Sequence, residues 1–267
     1  MDKSEAFENR MQKYTAWFRF YEELNDFLPP ELQKTTFPYV FSLPTSIKNA
    51  IEAIGVPHTE VDLIVVNGHS VDFDYLLQPN DRVAVYPTFE SLDIRPIVRL
   101  RPEPLRHPKF ILDVHLGKLA HALRLLGFDT LYQNNFSDEE LIRVALEESR
   151  IILTQDLGIL KRKCVTRGYW VRARTVDNQV LEVVRRFDLI HQIKPFTRCL
   201  VCNGEVISVE KSAIIDQIPP KIKAVFNAFY QCQACKKVYW RGSHYEKMTK
   251  KIQNLKEVLG KTENGER

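Results

Sequence analysis

No apolar run in this 267-residue sequence approaches the roughly 18 residues that a membrane-crossing helix needs, so a helical membrane protein is excluded. The first residues, Met1-Asp2-Lys3-Ser4-Glu5, mix charges and lack the basic flank and apolar centre of a signal peptide. A cytoplasmic protein without a membrane role is therefore expected. Internal repeats and low-complexity tracts are also missing. Cysteine is scarce at five residues, and without a secretion signal paired disulfides are not the expected use of them. The hydrophobic fraction of 44% and charged fraction of 27% are those of a soluble globular chain, long enough for two or three domains. The net charge of +4 hides an asymmetry. Residues 1–94 hold 7 Lys and Arg against 15 Asp and Glu, a net −8, and residues 95–267 hold 31 against 19, a net +12. An acidic part joined to a basic one points the basic part towards a polyanion, most simply nucleic acid; a solvated basic face is the plainer alternative.

Residues 14–90 read as an α+β unit. An alternating strand, Ala16-Trp17-Phe18-Arg19-Phe20-Tyr21, and a second strand near Thr36–Leu43 precede a helix capped by Ser46. That helix carries Ile47, Ala50, Ile51 and Ile54 on one stripe and ends at Gly55. Strand Asp62–Val66 runs into Asn67-Gly68, a tight hairpin turn, and the last strand is Asp81–Tyr86. Topology and the stretches Val65-Val66-Asn67-Gly68 and Asp81-Arg82-Val83-Ala84-Val85-Tyr86-Pro87 resemble the ubiquitin-like β-grasp fold, in particular its sulfur-carrier subclass. No Gly-Gly ends this region, so the resemblance implies docking or substrate positioning, with a protein partner as one possibility, and not a carrier role. Residues 91–109, with Pro96, Pro102, Pro104 and Pro108 among Arg95, Arg99, Arg101 and Arg106, read as an extended basic linker.

The chemistry gathers in residues 110–195. Strand Phe110-Ile111-Leu112 stops on Asp113, and strand Ile151-Ile152-Leu153 leads through Thr154-Gln155 to Asp156. Between them lie a helix with Leu116, Leu119, Ala120, Leu123 and Leu126 on one stripe, stopped by Gly127, and a short strand around Asp129–Tyr132. A second helix opens on the capping box Ser137-Asp138-Glu139-Glu140. A further helix rich in Lys161-Arg162-Lys163, with Cys164 an ordinary helix residue, is expected after Asp156. Strands alternating with helices imply a parallel sheet, whose functional groups collect beyond the strands' carboxyl ends. Asp113, Asp138 and Asp156 can meet there. Hard carboxylate oxygens suit Mg²⁺ or Mn²⁺, which offset phosphate charge and activate a bound water. Each acid also has a plainer reading, as a cap or first-turn residue of the helix that follows. Asp129 and Asp177 are weaker candidates. His115 and His121 are possible acid–base groups or simple surface histidines. A haloacid-dehalogenase phosphatase would need a second Asp where His115 stands, and that reading is set aside.

Residues 110–245 resemble the PIN-like RNase family defined by the carboxy-terminal region of the Mut-seven exonuclease. The matching stretches are Phe110-Ile111-Leu112-Asp113, Leu116-Gly117-Lys118-Leu119-Ala120, Leu123-Arg124-Leu125-Leu126-Gly127-Phe128-Asp129, Ser137-Asp138-Glu139-Glu140-Leu141 and Ile152-Leu153-Thr154-Gln155-Asp156. The resemblance implies a metal-dependent ribonuclease with Asp113, Asp138 and Asp156 as its catalytic, Mg²⁺- or Mn²⁺-binding acids, and an N-terminal ubiquitin-like partner domain. Lys118 and Arg124 are expected phosphate contacts, with Lys118 also placed to pair with Asp113. The RNA would be single-stranded or structured.

Residues 196–247 hold Cys199-x-x-Cys202 and, after 29 intervening residues, Cys232-x-x-Cys235. Two such knuckles supply four thiolates to a closed tetrahedral zinc site, a structural ribbon without an open catalytic position. Tyr239, Trp240, Arg241 and His244 follow, in a Tyr-Trp-x-Gly-Ser-His stretch that the same family shares. Trp240, Arg241 and His244 are candidate RNA contacts that stack bases and track a backbone, or the aromatics simply pack the ribbon. Residues 248–267 read as a charged tail, part of a charged helix from Glu246 that ends in a polar stretch and has no specific role. The fold expected is α/β: a PIN-like parallel-sheet nuclease domain behind a β-grasp domain and ahead of a zinc ribbon. The function expected is metal-dependent RNA hydrolysis, the alternative a non-catalytic RNA-binding or adaptor protein.

Overall fold

Alternation fixes the first strand. In β1 (Lys13–Phe20) Ala16, Phe18 and Phe20 are buried while Lys13, Trp17 and Arg19 face solvent, as a pleated strand with one core face requires. The structure is a computed structural model describing residues 12–87, 100 and 108–263. The expected linker, apart from Leu100, Pro108 and Lys109, and residues 264–267 of the expected tail lie outside the described residues. β1 is followed by β2 (Phe37–Ser42), α1 (Ile47–Ile54), β3 (Val61–Val66), β4 (His69–Val71) and β5 (Arg82–Pro87). They form one sheet in the order β2-β1-β5-β3-β4, with β1 and β5 parallel and the other neighbours antiparallel. This is the β-grasp order, with Ile47, Ala50 and Ile51 of α1 pressed onto Phe18, Ile64 and Val85 of the sheet. The Ser46 hydroxyl accepts from Asn49 N, capping α1. Asn67 and Gly68, at φ of 51° and 87°, turn β3 into β4 with the double left-handed geometry of a tight hairpin.

The chain divides into two compact units, Met1–Arg106 with Asp156–Tyr169, and His107–Gln155 with Trp170–Arg267. The second is built on β6 (Phe110–Leu112), α2 (Gly117–Leu125), β7 (Thr130–Leu131), α3 (Asp138–Glu147) and β8 (Ile151–Thr154). Next along the chain come α4 (Leu157–Leu160), which falls in the first unit, β9 (Gly168–Trp170), where the chain passes back to the second, and α5 (Val176–Arg186). The sheet runs β7-β6-β8-β9, and β6 is parallel to both neighbours, with Leu112 opposite Leu153. The apolar stripe of α2 is buried as its period predicts, and Ser137 and Glu140 close the expected capping box on α3. A smaller antiparallel sheet, β10 (Val206–Val209), β11 (Phe229–Cys232) and β12 (Val238–Trp240), carries the ribbon; α6 (Pro220–Val225) lies in the long spacer between the knuckles. No helix among the described residues is long and apolar enough to cross a membrane.

Two expectations change. The basic helix after Asp156 is only α4; Lys161 is its C-cap, and Arg162, Lys163 and Cys164 lie beyond it. Tertiary bonds compete with helix here: within the first unit, His58 Nε2 lies 2.8 Å from the Val165 carbonyl and Lys161 Nζ donates to the Glu52 carbonyl at 3.4 Å. The helix expected from Glu246 is α7 (Ser243–Glu263), but it is not merely solvated: it buries Ile252 and Leu259 and packs beside α5. The ribbon and the nuclease sheet both fall in the second unit.

Gly127 ends α2 at φ +95°, and a Cβ there would sit 2.1 Å from the backbone oxygen of Lys194. Both the left-handed backbone and the contact forbid a side chain. Gly127→Ala is expected to destabilise the chain by about 2–4 kcal/mol, read as a lowered midpoint in urea.

Candidate active site and metal centre

Asp113 follows the last residue of β6 and is 4% exposed. Its Oδ1 accepts from His115 N at 2.8 Å, the capping role. Its Oδ2 accepts from the Thr154 hydroxyl and, at 3.0 Å, from Gln155 N, both at the end of the neighbouring strand β8. Capping needs only the first of these bonds. The other two hold a buried carboxylate against the carboxyl end of the parallel pair, and hydrogen bonds of this kind stabilise the charged form. Asp156 is exposed and caps α4, with Oδ1 accepting from Gly158 N at 2.7 Å. Asp138 is half-buried at the first position of α3.

The weaker acid candidate Asp129 has another occupation. It binds Arg150 Nη1 and Asn203 Nδ2, both at 2.7 Å, with Arg198 Nη2 at 3.7 Å. Burial pushes its carboxyl up, but Arg150, Asn203 and Arg198 outweigh this and hold it below the ordinary value of 3.8. Asp177 lies in the first turn of α5.

Arg124 requires a correction. Expected to meet phosphate, it is 2% exposed and spends its guanidinium on the chain itself. Nε donates to the Thr130 carbonyl at 2.8 Å, and Nη1 to the carbonyls of Leu200 and Val201 at 3.1 and 3.0 Å. The last two belong to the first cysteine knuckle. Asn203 reinforces the tie, accepting from Thr130 N at 2.9 Å. Neither Asn203 nor the role of Arg124 was legible in the sequence, because a lone arginine in a family stretch reads equally as a phosphate clamp or a scaffold. Lys118 is exposed and remains placed for solvent-side contacts; His115 and His121 are also exposed. Burial, and then Arg124, lower the pKa of His121.

Cys199, Cys202, Cys232 and Cys235 bring their sulfur atoms within 4.8 Å of one another, with Cys199–Cys235 at 3.6 Å and Cys202–Cys232 at 3.4 Å. Four thiolates around an ion at ~2.3 Å stand about 3.8 Å apart, so the quartet is close to the geometry a tetrahedral metal needs. Burial pushes the Cys199 thiol up, but the Tyr239 hydroxyl, 3.0 Å away, and the N–H groups of Cys202 and Val201 donate to it and bring it down to about 6. A thiol at that value is ready to serve as a thiolate ligand. Among the described residues this quartet is the group of three or more potential ligands that converges so closely; Asp113, Asp138 and Asp156 do not form one.

Beside the quartet lies a cavity of about 280 Å³, lined by Phe196, Tyr230, Trp240, Arg241 and Tyr245 among others. The Arg241 guanidinium lies 5.7 Å from the Tyr230 ring and 5.5 Å from that of Tyr245, which in turn packs on Phe196 at 4.4 Å. Trp240 also packs against the ribbon's small core of Ile214, Ile218 and Phe229. It is therefore part of the ribbon's packing and of the cavity wall. His244 is exposed in the first turn of α7.

Two predictions follow from these bonds. Arg124→Ala leaves three carbonyls without their donor and should cost about 2–4 kcal/mol in urea unfolding, whereas Lys118→Ala should stay within about 0.5 kcal/mol. Because the folded pKa of Asp129 lies below its unfolded value, its contribution to stability is complete above pH ~4 and is lost as pH falls through the folded value. Thermal melts between about pH 5 and 3 should fall less steeply for Asp129→Asn than for the parent chain; parallel slopes would remove this account.

A family model described as the Mut7-C RNAse domain matches residues 108–252, more than half of the chain, and one described as Mut7-C ubiquitin matches residues 13–93. No curated protein and no solved structure matched the chain. The two matched regions coincide with the parallel sheet that carries Asp113, together with its ribbon, and with the β-grasp sheet: the chain belongs to the Mut7-C RNase-domain family and carries a Mut7-C ubiquitin domain ahead of it.

Proposed function

We propose that the chain is a metal-dependent ribonuclease, hydrolysing phosphodiester bonds of RNA at an Mg²⁺ or Mn²⁺ ion held by Asp113, Asp138 and Asp156. The observation that carries this reading is Asp113: a carboxylate buried to 4% exposure at the carboxyl end of the central parallel strand. Nothing in packing calls for a charge there, and acids are costly to bury without a purpose. Asp113 Oδ1 accepts one bond from His115 N, which leaves it acceptor capacity towards an ion. Mg²⁺ keeps several waters and needs only one or two direct carboxylates, so the donor set fits without a tight three-acid cage. When bound, the ion would offset charge on the scissile phosphate and lower the pKa of a coordinated water.

The chain's own residues supply the rest. Thr154 and Gln155 fix the Asp113 carboxylate in one orientation, and exposed Lys118 offers an ammonium to an incoming phosphate. The cysteine quartet would hold zinc, with all four positions taken by protein and therefore no catalytic opening. Arg241, Trp240 and His244 at the ribbon would guide the RNA, with Trp240 doing so from the cavity wall.

The competing reading, a non-catalytic RNA-binding or adaptor protein, draws on the three aspartates not converging as the cysteines do. Incubating single-stranded RNA with Mn²⁺ and either the parent chain or Asp113→Asn separates the two. The variant should cut at least a hundredfold more slowly, the scale of several kcal/mol of charge stabilisation. Both preparations should carry one zinc per chain by atomic absorption. Equal cleavage by parent and variant, or none by either, would leave the adaptor reading.

A further inference from the structure

The β-grasp unit is acidic, yet one face of its sheet is not. Residues 12–87 hold 5 Lys and Arg against 10 Asp and Glu, but β1, β2 and β5 contain Lys13, Arg19 and Arg82 and no Asp or Glu. The pleat sends these basic residues to the side opposite α1, since their neighbours Ala16, Phe18, Phe20, Val83 and Val85 fill the core. Trp17 stands directly opposite Arg82 across the parallel β1–β5 pair, and Arg19 opposite Ala84. Trp17 is 41% exposed, far more than a tryptophan with a packing duty. Further along, the Arg19 guanidinium lies 5.3 Å from the Tyr21 ring, which stacks on Tyr86 at 4.3 Å with planes 12° apart. An open groove of about 460 Å³ runs over Trp17, Arg19, Tyr21 and Arg82.

We propose that this outer sheet face is a binding platform for single-stranded RNA, with Trp17 stacking a base and Arg19 and Arg82 meeting the flanking phosphates. Exposed rings interleaved with guanidinium groups on a sheet are what unpaired bases and their backbone need: every base has a stacking face, and arginine pairs with phosphate oxygens in two parallel bonds. The clearing of acids from these strands, in a unit otherwise rich in them, matches a polyanion. The face holds none of the residues assigned to cleavage, so it would retain substrate and not act on it. The choice of RNA among polyanions rests on the ribonuclease reading.

The test keeps binding apart from cleavage. The full chain, without added Mg²⁺ or Mn²⁺, is titrated into a fluorescent poly(U) oligomer of about a dozen nucleotides and followed by anisotropy. Trp17→Ala should weaken binding about tenfold, with Trp17→Phe recovering most of it. Arg19→Glu/Arg82→Glu should weaken it further. Arg19→Ala/Arg82→Ala should flatten the dependence of log Kd on log salt by about 1.4, two phosphates at roughly 0.7 each on a single strand. The three residues changed lie outside the core, and circular dichroism verifies the fold. Unchanged affinity and salt slope, absence of RNA binding by the parent chain, or equal displacement by poly-glutamate, which cannot stack, would each overturn the proposal. A chain that binds RNA through this face but never cuts it would remove the ribonuclease reading and leave the platform standing. A chain that cuts RNA with an affinity indifferent to this face would do the reverse.

Discussion

A guanidinium taken out of water is the constraint around which the second unit is arranged. Arg124 sits almost without exposure, and burial works against its charge. Leaving such a group unpaired would cost more than most single contacts return, so its donors must find acceptors of fixed position. They find the Thr130 carbonyl on β7 and the Leu200 and Val201 carbonyls of the first knuckle. Its charge is supported in turn by Cys199, Cys202 and Asp129. A metal bound by four thiolates would keep a net negative charge, so such a centre and the buried cation would stabilise each other. A second polar junction, Asp129 with Arg150 and Asn203, joins the start of β7 to the start of β8 and to the first knuckle.

That arrangement bears on what the acids do. Asp129 has its lone pairs engaged by cations and an amide, and Asp156 caps a four-residue helix from an exposed position. Asp113 differs from both. Its backbone follows β6, its cap bond serves the turn after it, and its second oxygen is clamped by the end of β8. Hydrogen-bond donors arranged around a buried carboxylate fix an orientation before any ligand arrives, which is the preorganisation that electrostatic catalysis exploits.

Much of this was legible in the sequence because it depends on local rules. Period-two burial in β1, the Asn67-Gly68 hairpin, the Ser137–Glu140 capping box and the stop at Gly127 are decided within a few residues, and the paired knuckles announce their own chemistry. Where the outcome depended on distant partners, local signals failed. The run Lys161-Arg162-Lys163 has helix-forming side chains, yet Lys161 and the Val165 carbonyl are committed to Glu52 and His58, more than a hundred residues earlier. Arg124 carries no mark that separates a scaffold arginine from a phosphate-binding one. The helix from Glu246 reads as solvated because its four charges are spread among five apolar residues over 248–259, and two of the latter, Ile252 and Leu259, suffice to seat it. Asp113 follows β6, Asp138 opens α3 and Asp156 follows β8, but sequence spacing does not say how closely such carboxylates meet.

The bonds from Arg124 to the first knuckle also determine how this protein can be taken apart. A ribbon of about fifty residues with its own cysteine quartet looks like a cassette that could be exchanged between proteins at residue 196. Here two carbonyls of that cassette are bound by a side chain from α2, and Asn203 closes the backbone of β7. A foreign ribbon grafted at that boundary would bury Arg124 against whatever carbonyls it happened to bring. The transferable module therefore begins at β6, and chimeras that respect it must move sheet, arginine and ribbon together.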